Sequence, residues 1–177
     1  FGASTEIGMR GEQAGSLRSH KKWGQIHLAT FSYGYGFNAT ALQMARAVSV
    51  IANGGLLMQP RLVKSVGNAQ GRTVKTFEPR ILRRVFSKKA ANYAKKGMIM
   101  VTQKGGTGRR ARVAGYTVAG KTGTAHKVDP LLRGYSKDKV VASFAGFAPA
   151  EAPRIAIYVS VDEPKKAHYG GLVAAPI

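Results

Sequence analysis

Cysteine is missing from all 177 residues, which excludes disulfides and thiolate-held metals while leaving the redox compartment open. Tryptophan occurs once, at position 23. No apolar run approaches the roughly 18 residues that a membrane-crossing helix requires. No export leader is read at the start, and Phe1 stands where a natural chain would begin with methionine, so an upstream segment is expected. Acidic residues are scarce, 8 against 28 Lys and Arg, for a net charge of +20. That imbalance invites a polyanion: a nucleic acid, an anionic membrane surface or an anionic wall polymer. A nucleic-acid groove interleaves its cations with aromatics. Between positions 80 and 112 the basic run, from Arg80 to Arg112, holds only Phe86 and Tyr93. Nucleic-acid binding is therefore the alternative reading, resting on charge alone.

With 44% hydrophobic and 20% charged residues, the chain has the composition of one globular domain with a real core. Residues 1–37 are rich in Gly and Ser and read as a loop-rich lead-in, with Trp23 anchoring a basic link to the core. Phe31 to Phe37 alternates aromatics with small residues, as a packed turn or the floor of a cleft. Residues 38–104 read as a helical part with a hairpin. Thr40 and Gln43 form a capping box for a helix to Ala52, stopped by Asn53-Gly54-Gly55. Only a thin polar line, Gln43, Arg46, Ser49 and Asn53, interrupts its apolar surface. Leu57 to Val66 and Arg72 to Phe77 bracket Gly67 to Gly71, so a hairpin or two short strands are expected there, and Ser87 caps a second helix to about Gln103. Winding that helix groups Ala90, Ala91, Tyr93, Ala94, Gly97, Met98 and Val101 on the expected core face, with Ile99 outside it. From 105 onward three strands are expected, near 116–127, 139–147 and 154–162. Turns at 129–137 and 149–153 are short enough to favour antiparallel pairing.

The first of these strands carries Lys121-Thr122-Gly123-Thr124. On an edge strand such a run has clear chemistry. Lys121 supplies a fixed charge for a carboxylate, and Gly123 keeps no side chain between a substrate and the strand. Thr124 offers a hydroxyl and an N–H for a developing oxyanion. An extended peptide can add to the free edge as one more strand.

Several strings in one order carry a family resemblance. They include Gly11-Glu12, Tyr33-Gly34-Tyr35-Gly36, Thr40 to Ala47, Ile51-Ala52-Asn53-Gly54-Gly55 and Gly105-Gly106-Thr107-Gly108. Ala14-Gly15-Ser16-Leu17, Gly115-Tyr116 through Lys121 to Ala125, Gly146 to Ala150, Asp162-Glu163-Pro164 and Tyr169-Gly170-Gly171 with Val173 to Pro176 complete the set. Across nearly its whole length the chain resembles the C-terminal part of a class B penicillin-binding protein, of the division-specific D,D-transpeptidase type of Gram-negative bacteria. The resemblance implies an α+β fold, an antiparallel sheet with flanking helices, whose first strands and last helix lie outside residues 1–177. It implies a serine acyltransferase that cross-links peptidoglycan stem peptides during septal wall synthesis and is acylated by β-lactams. It needs no cofactor and no metal, works at the periplasmic face of the inner membrane, and has divisome partners. The site residues it implies are Lys121 and Thr124 as catalytic, with Thr122, Gly123, Thr124, His168 and Tyr169 contacting substrate.

Two family motifs are not supplied. Ser-x-Asn does not occur, and Ser-x-x-Lys occurs only at Ser19/Lys22, in a polar link, and Ser136/Lys139, in an expected interstrand loop. The serine works on a helix, one turn before its lysine. Neither site fits, so the nucleophile is expected on an upstream half of the domain carrying both motifs. The isolated segment is expected to be inactive, as one half of a nicked domain or as a shortened chain.

Overall fold

The computed structural model of the chain describes residues 1–129, 131 and 134–177. Among the described residues four α-helices and seven strands follow one another: α1 (Gln25–Ser32), α2 (Ala41–Ala52), β1 (Leu56–Met58), β2 (Ser65–Gly67), β3 (Thr73–Thr76), β4 (Ile81–Arg84), α3 (Lys88–Thr102), β5 (Ala119–Asp129), β6 (Gly134–Ala148), β7 (Ile155–Asp162) and α4 (Gly170–Val173). The class is α+β. The main sheet is antiparallel in the order β5-β6-β7, so β5 and β7 are its edges. Ile155 and Ile157 leave the β7 side largely exposed.

Local chemistry explains the two long helices. Thr40 Oγ1 accepts from the Gln43 N–H at 3.2 Å, and Gln43 Oε1 accepts from the Thr40 N–H at 3.1 Å. Ser87 Oγ accepts from the Ala90 N–H at the start of α3. Packing then decides which faces are covered. Val48 of α2 and Met98 of α3 meet Ala119, Phe147 and Ala150 on one face of the sheet. Val118 and Phe144 point to the other face, where Ala174 and Ala175 cover them.

Several expectations need correction. Residues 25–32 form a helix, α1, although they show no apolar period and bury no side chain. Trp23 reaches neither core cluster; it packs edge-on against Phe31 at 4.7 Å and its Nε1–H donates to the Arg18 carbonyl. Gln43, placed on the polar line of α2, is buried at 5% exposure. Its Nε2 donates to the Ala3 and Ala14 carbonyls, so α2 staples the lead-in to the domain. The hairpin at β2–β3 forms as expected, but Leu56–Met58 pairs instead with β4, a strand that was not expected. On α3 the covered flank is Ala91, Met98, half-buried Ile99 and Thr102, while Ala90, Tyr93, Ala94 and Gly97 stay exposed. The reason is Thr102, whose hydroxyl donates to the Val118 carbonyl at 2.7 Å and rotates that flank onto the sheet. β6 begins at Gly134, earlier than expected; part of the turn expected at 129–137 falls on residues outside the described set.

The lead-in carries one titration effect. Glu12 accepts from Ser4 Oγ and from the Thr5 N–H, each at 2.6 Å, which holds its carboxyl down at about 2. A depressed folded-state value stabilises the loop above the ordinary carboxylate range, and the effect fades as pH falls toward about 2. A carboxyl NMR titration should find Glu12 below free glutamate, and Ser4→Ala should move it back up.

Candidate active site

The edge geometry of β5 can be read from its bonds. Pairing with β6 runs unbroken from Ala119↔Phe147 to His126↔Val140, before a bulge at 126–128. On one side of this stretch, the His126 N–H donates off the edge to Tyr35 Oη at 2.9 Å. The Val118 carbonyl faces the same way, toward Thr102 Oγ1. Backbone groups alternate in direction every residue along an antiparallel strand. The N–H and C=O of Gly120, Thr122 and Thr124 therefore face off the open edge, and those of Lys121 and Gly123 pair with β6.

Side chains alternate as well. Lys121 shares the face of Ala119, toward α2 and α3; it is exposed, and its Nζ donates to the outward Thr122 carbonyl at 2.7 Å. Thr122 and Thr124 share the opposite face. Thr122 Oγ1 lies 2.9 Å from Thr107 Oγ1, in one shared hydrogen bond. Thr124 Oγ1 accepts from the Gly170 N–H at 3.1 Å, which leaves its own proton free to turn toward an anion. Gly123 serves the sheet as well as the edge: a Cβ there would sit 2.5 Å from Ser143 Oγ.

Of the six positions named from the sequence, Lys121, Thr122, Gly123 and Thr124 lie together on β5, while His168 and Tyr169 directly precede Gly170, whose N–H reaches Thr124, and both are exposed. The contact from Tyr35 was missed, because it spans 91 residues and no local pattern announces it. At the bulge, Lys127 bonds Glu163 at 2.8 Å and Asp162 at 3.0 Å, and these carboxylates, Glu163 foremost, raise its value. The pair ties the end of β5 to the end of β7.

The two Ser-x-x-Lys strings lie elsewhere in character. Ser19 precedes a single 3-10 turn, His20–Lys22. Ser136 corrects an expectation: it lies inside β6, not in a loop, and is buried at 8% exposure. Its Oγ accepts from the Asp138 and Lys139 N–H groups. Neither serine stands on a helix with its lysine one turn on. A groove of about 590 Å³ opens on the α4 face among Val118, Phe144, Ile157 and Val159, but none of residues 121–124 lines it. Among the described residues no three His, Cys, Asp or Glu side chains gather as metal ligands, and no helix is long and apolar enough to cross a membrane.

Against known proteins, the chain matches the penicillin-binding protein transpeptidase domain over residues 1–177. The chain belongs to that family. A probable peptidoglycan D,D-transpeptidase, PenA of Neisseria gonorrhoeae, is 38% identical over 99% of this chain, which spans 28% of that protein. The apo transpeptidase domain of penicillin-binding protein 3 from Burkholderia pseudomallei superposes with a TM-score of 0.82 at 41% identity, over 99% of this chain and 50% of that one. Penicillin-binding protein 3 from Mycobacterium tuberculosis, solved with ampicillin, gives 0.87 at 34% identity, over 99% of this chain and 40% of that one. The chain therefore spans under a third of the PenA it matches and half or less of these solved chains. Family membership leaves the nucleic-acid reading of the +20 charge without support.

Proposed function

We propose that this chain is the C-terminal portion of a transpeptidase domain, supplying the substrate strand of a peptidoglycan D,D-transpeptidase. Its divisions at 1–37, 38–104 and 105–177 serve as lead-in, helical part and strand part. The observation that carries the reading is the open edge of β5, with the Thr124 N–H facing off it beside the exposed Lys121.

A stem peptide ending in D-Ala-D-Ala lies antiparallel along this edge. Its terminal carboxylate meets the Lys121 ammonium and the Thr124 hydroxyl, with Thr122 holding the strand and Gly123 leaving the approach open. His168 and Tyr169 wall the same end. A serine oxygen attacks the penultimate carbonyl carbon, and the resulting oxyanion accepts from the Thr124 N–H. Collapse breaks the peptide bond, the leaving amine takes a proton, and D-alanine departs. An amine of a neighbouring stem then attacks the acyl-serine and forms the cross-link. A β-lactam enters the same sequence, and its acyl-serine persists. No cofactor takes part. The serine, with Ser-x-x-Lys and Ser-x-Asn, comes from a segment outside these residues, since Ser19 and Ser136 lack the required helix. The division role, divisome partners and the periplasmic face of the inner membrane are supported by the order of sequence strings and by the family.

Labelled penicillin tests the reading. The complete protein should take one label, and the isolated 177 residues none. A complete protein that takes no label, or a stable adduct on the isolated chain, would overturn it. Within the complete protein, Thr124→Val should slow acylation by about 1 kcal/mol, because one hydroxyl is lost while the N–H remains. Stopped-flow acylation rates check this, and a loss as large as that of a Lys121 variant would contradict it.

A further inference from the structure

Two side-chain hydroxyls bracket the open edge of β5. At one end Thr102 Oγ1 donates to the Val118 carbonyl at 2.7 Å. At the other, Tyr35 Oη accepts from the His126 N–H at 2.9 Å. Between them the outward groups belong to Gly120, Thr122 and Thr124 alone. The Tyr35 ring is held for this contact, with Tyr135 edge-on at 4.9 Å and Tyr33 at 5.7 Å. Helix α1 and the Gly34 and Gly36 turns, both at positive φ, deliver it from the far side of the lead-in.

Resting on the reading of the site given above, we propose that Tyr35 is a strand stop that limits how much of a donor peptide pairs with β5. The donor's terminal carboxylate lies toward Lys121 and its scissile carbonyl meets Thr124, so its upstream residues run toward His126. The scissile residue pairs with Thr124. The residue immediately upstream turns away from the strand, and the one before it would pair with His126. The Tyr35 hydroxyl already occupies that N–H. An incoming peptide there meets the Tyr35 and Tyr135 rings instead of a backbone donor. The site thus recognises the last three residues of a chain, D-Ala-D-Ala and one more, and it is the end of the stem that is read rather than an extended strand. Tyr35 is a positioning residue in this account: it acts through the backbone of β5 and takes no part in bond making.

The test uses the complete transpeptidase and two donors that differ in the carbonyl that would meet His126: propionyl-D-Ala-D-Ala, which has none there, and N-acetyl-Ala-D-Ala-D-Ala, whose acetyl carbonyl falls there. The ratio of their kcat/KM values for acyl transfer reads the pairing at His126. In wild type the longer donor should give no gain. In Tyr35→Ala, which removes both the hydroxyl and the ring, it should gain about fivefold, the worth of one ordinary hydrogen bond, and the His126 amide should exchange with solvent about tenfold faster. The double variant Tyr35→Ala/His126→Pro, which removes the freed donor, should return the ratio to the wild-type value. General damage to the fold depresses both donors alike and leaves the ratio unmoved, which counts against the proposal. So does an unchanged exchange rate at His126, or a wild type that already favours the longer donor. Labelling of wild type by penicillin separates the two levels: its absence sinks the site itself, whereas labelling with an unmoved ratio sinks only the stop.

Discussion

Lys121→Ala in the complete transpeptidase should slow acylation by labelled penicillin about 30- to 1,000-fold, a loss of about 2–4 kcal/mol of barrier stabilisation. Lys121 sits on the α2 and α3 face of an edge strand, exposed and held by its bond to the Thr122 carbonyl at 2.7 Å. That bond fixes the ammonium before any ligand arrives, so little reorganisation is needed when an anionic substrate lies down. Removing the charge should not unfold the protein, because the side chain makes no core contact. Melting temperature should hold while acylation falls. Lys121→Arg should recover only part of the rate, since a planar guanidinium does not reproduce a point charge on this strand. Equal acylation by wild type and Lys121→Ala would refute the assignment.

The second large effect falls on Gly170. Its N–H donates to Thr124 Oγ1, and its Cα lies against the sheet so closely that a Cβ would collide with the carbonyl oxygens of Gly123 and Ser143. Both obstacles are backbone, in paired strands, and neither has a rotamer to change. Gly170→Ala should therefore cost about 3 kcal/mol and lower the melting temperature of the complete protein by about 5 °C. It should also slow acylation, because the only relief is to push α4 away from Thr124 or to bend β5 itself. Gly97 makes the control. On the exposed side of α3 a Cβ at Gly97 meets nothing within 4 Å, so Gly97→Ala should be neutral or stabilise by about 0.5–1 kcal/mol. Thermal melts of the two variants, side by side, decide the matter; a Gly170→Ala protein melting with wild type would remove the packing argument.

What sequence alone revealed follows from how local each signal is. Helix α2 was legible to the residue because its cap, Thr40 with Gln43, and its stop, Asn53-Gly54, are all short-range. The three-strand sheet was legible because alternation and short links fix both strands and pairing. Helix α1 was not, since it has no apolar stripe, follows a glycine at its cap position, Gly24, and buries no side chain. β4 was not, since its partner β1 lies across the whole β2–β3 hairpin. The facing of α3 turned on one buried hydroxyl, Thr102, whose partner Val118 is 16 residues away. For the site, the Lys-Thr-Gly run marked the strand, and the direction of each backbone group along it needed coordinates. Gln43 shows the same limit: its place in the capping box was legible, but its bonds to the Ala3 and Ala14 carbonyls, 40 and 29 residues away, were not.

A crystal structure of the complete protein after reaction with a penicillin is the most direct test of the edge-strand account. The bound acyl group should lie along β5 between Gly120 and Thr124. Its carbonyl oxygen should sit within hydrogen-bond reach of the Thr124 N–H, its carboxylate should face Lys121, and its serine should come from outside these 177 residues. An adduct on Ser19 or Ser136, or one seated away from β5, would contradict it.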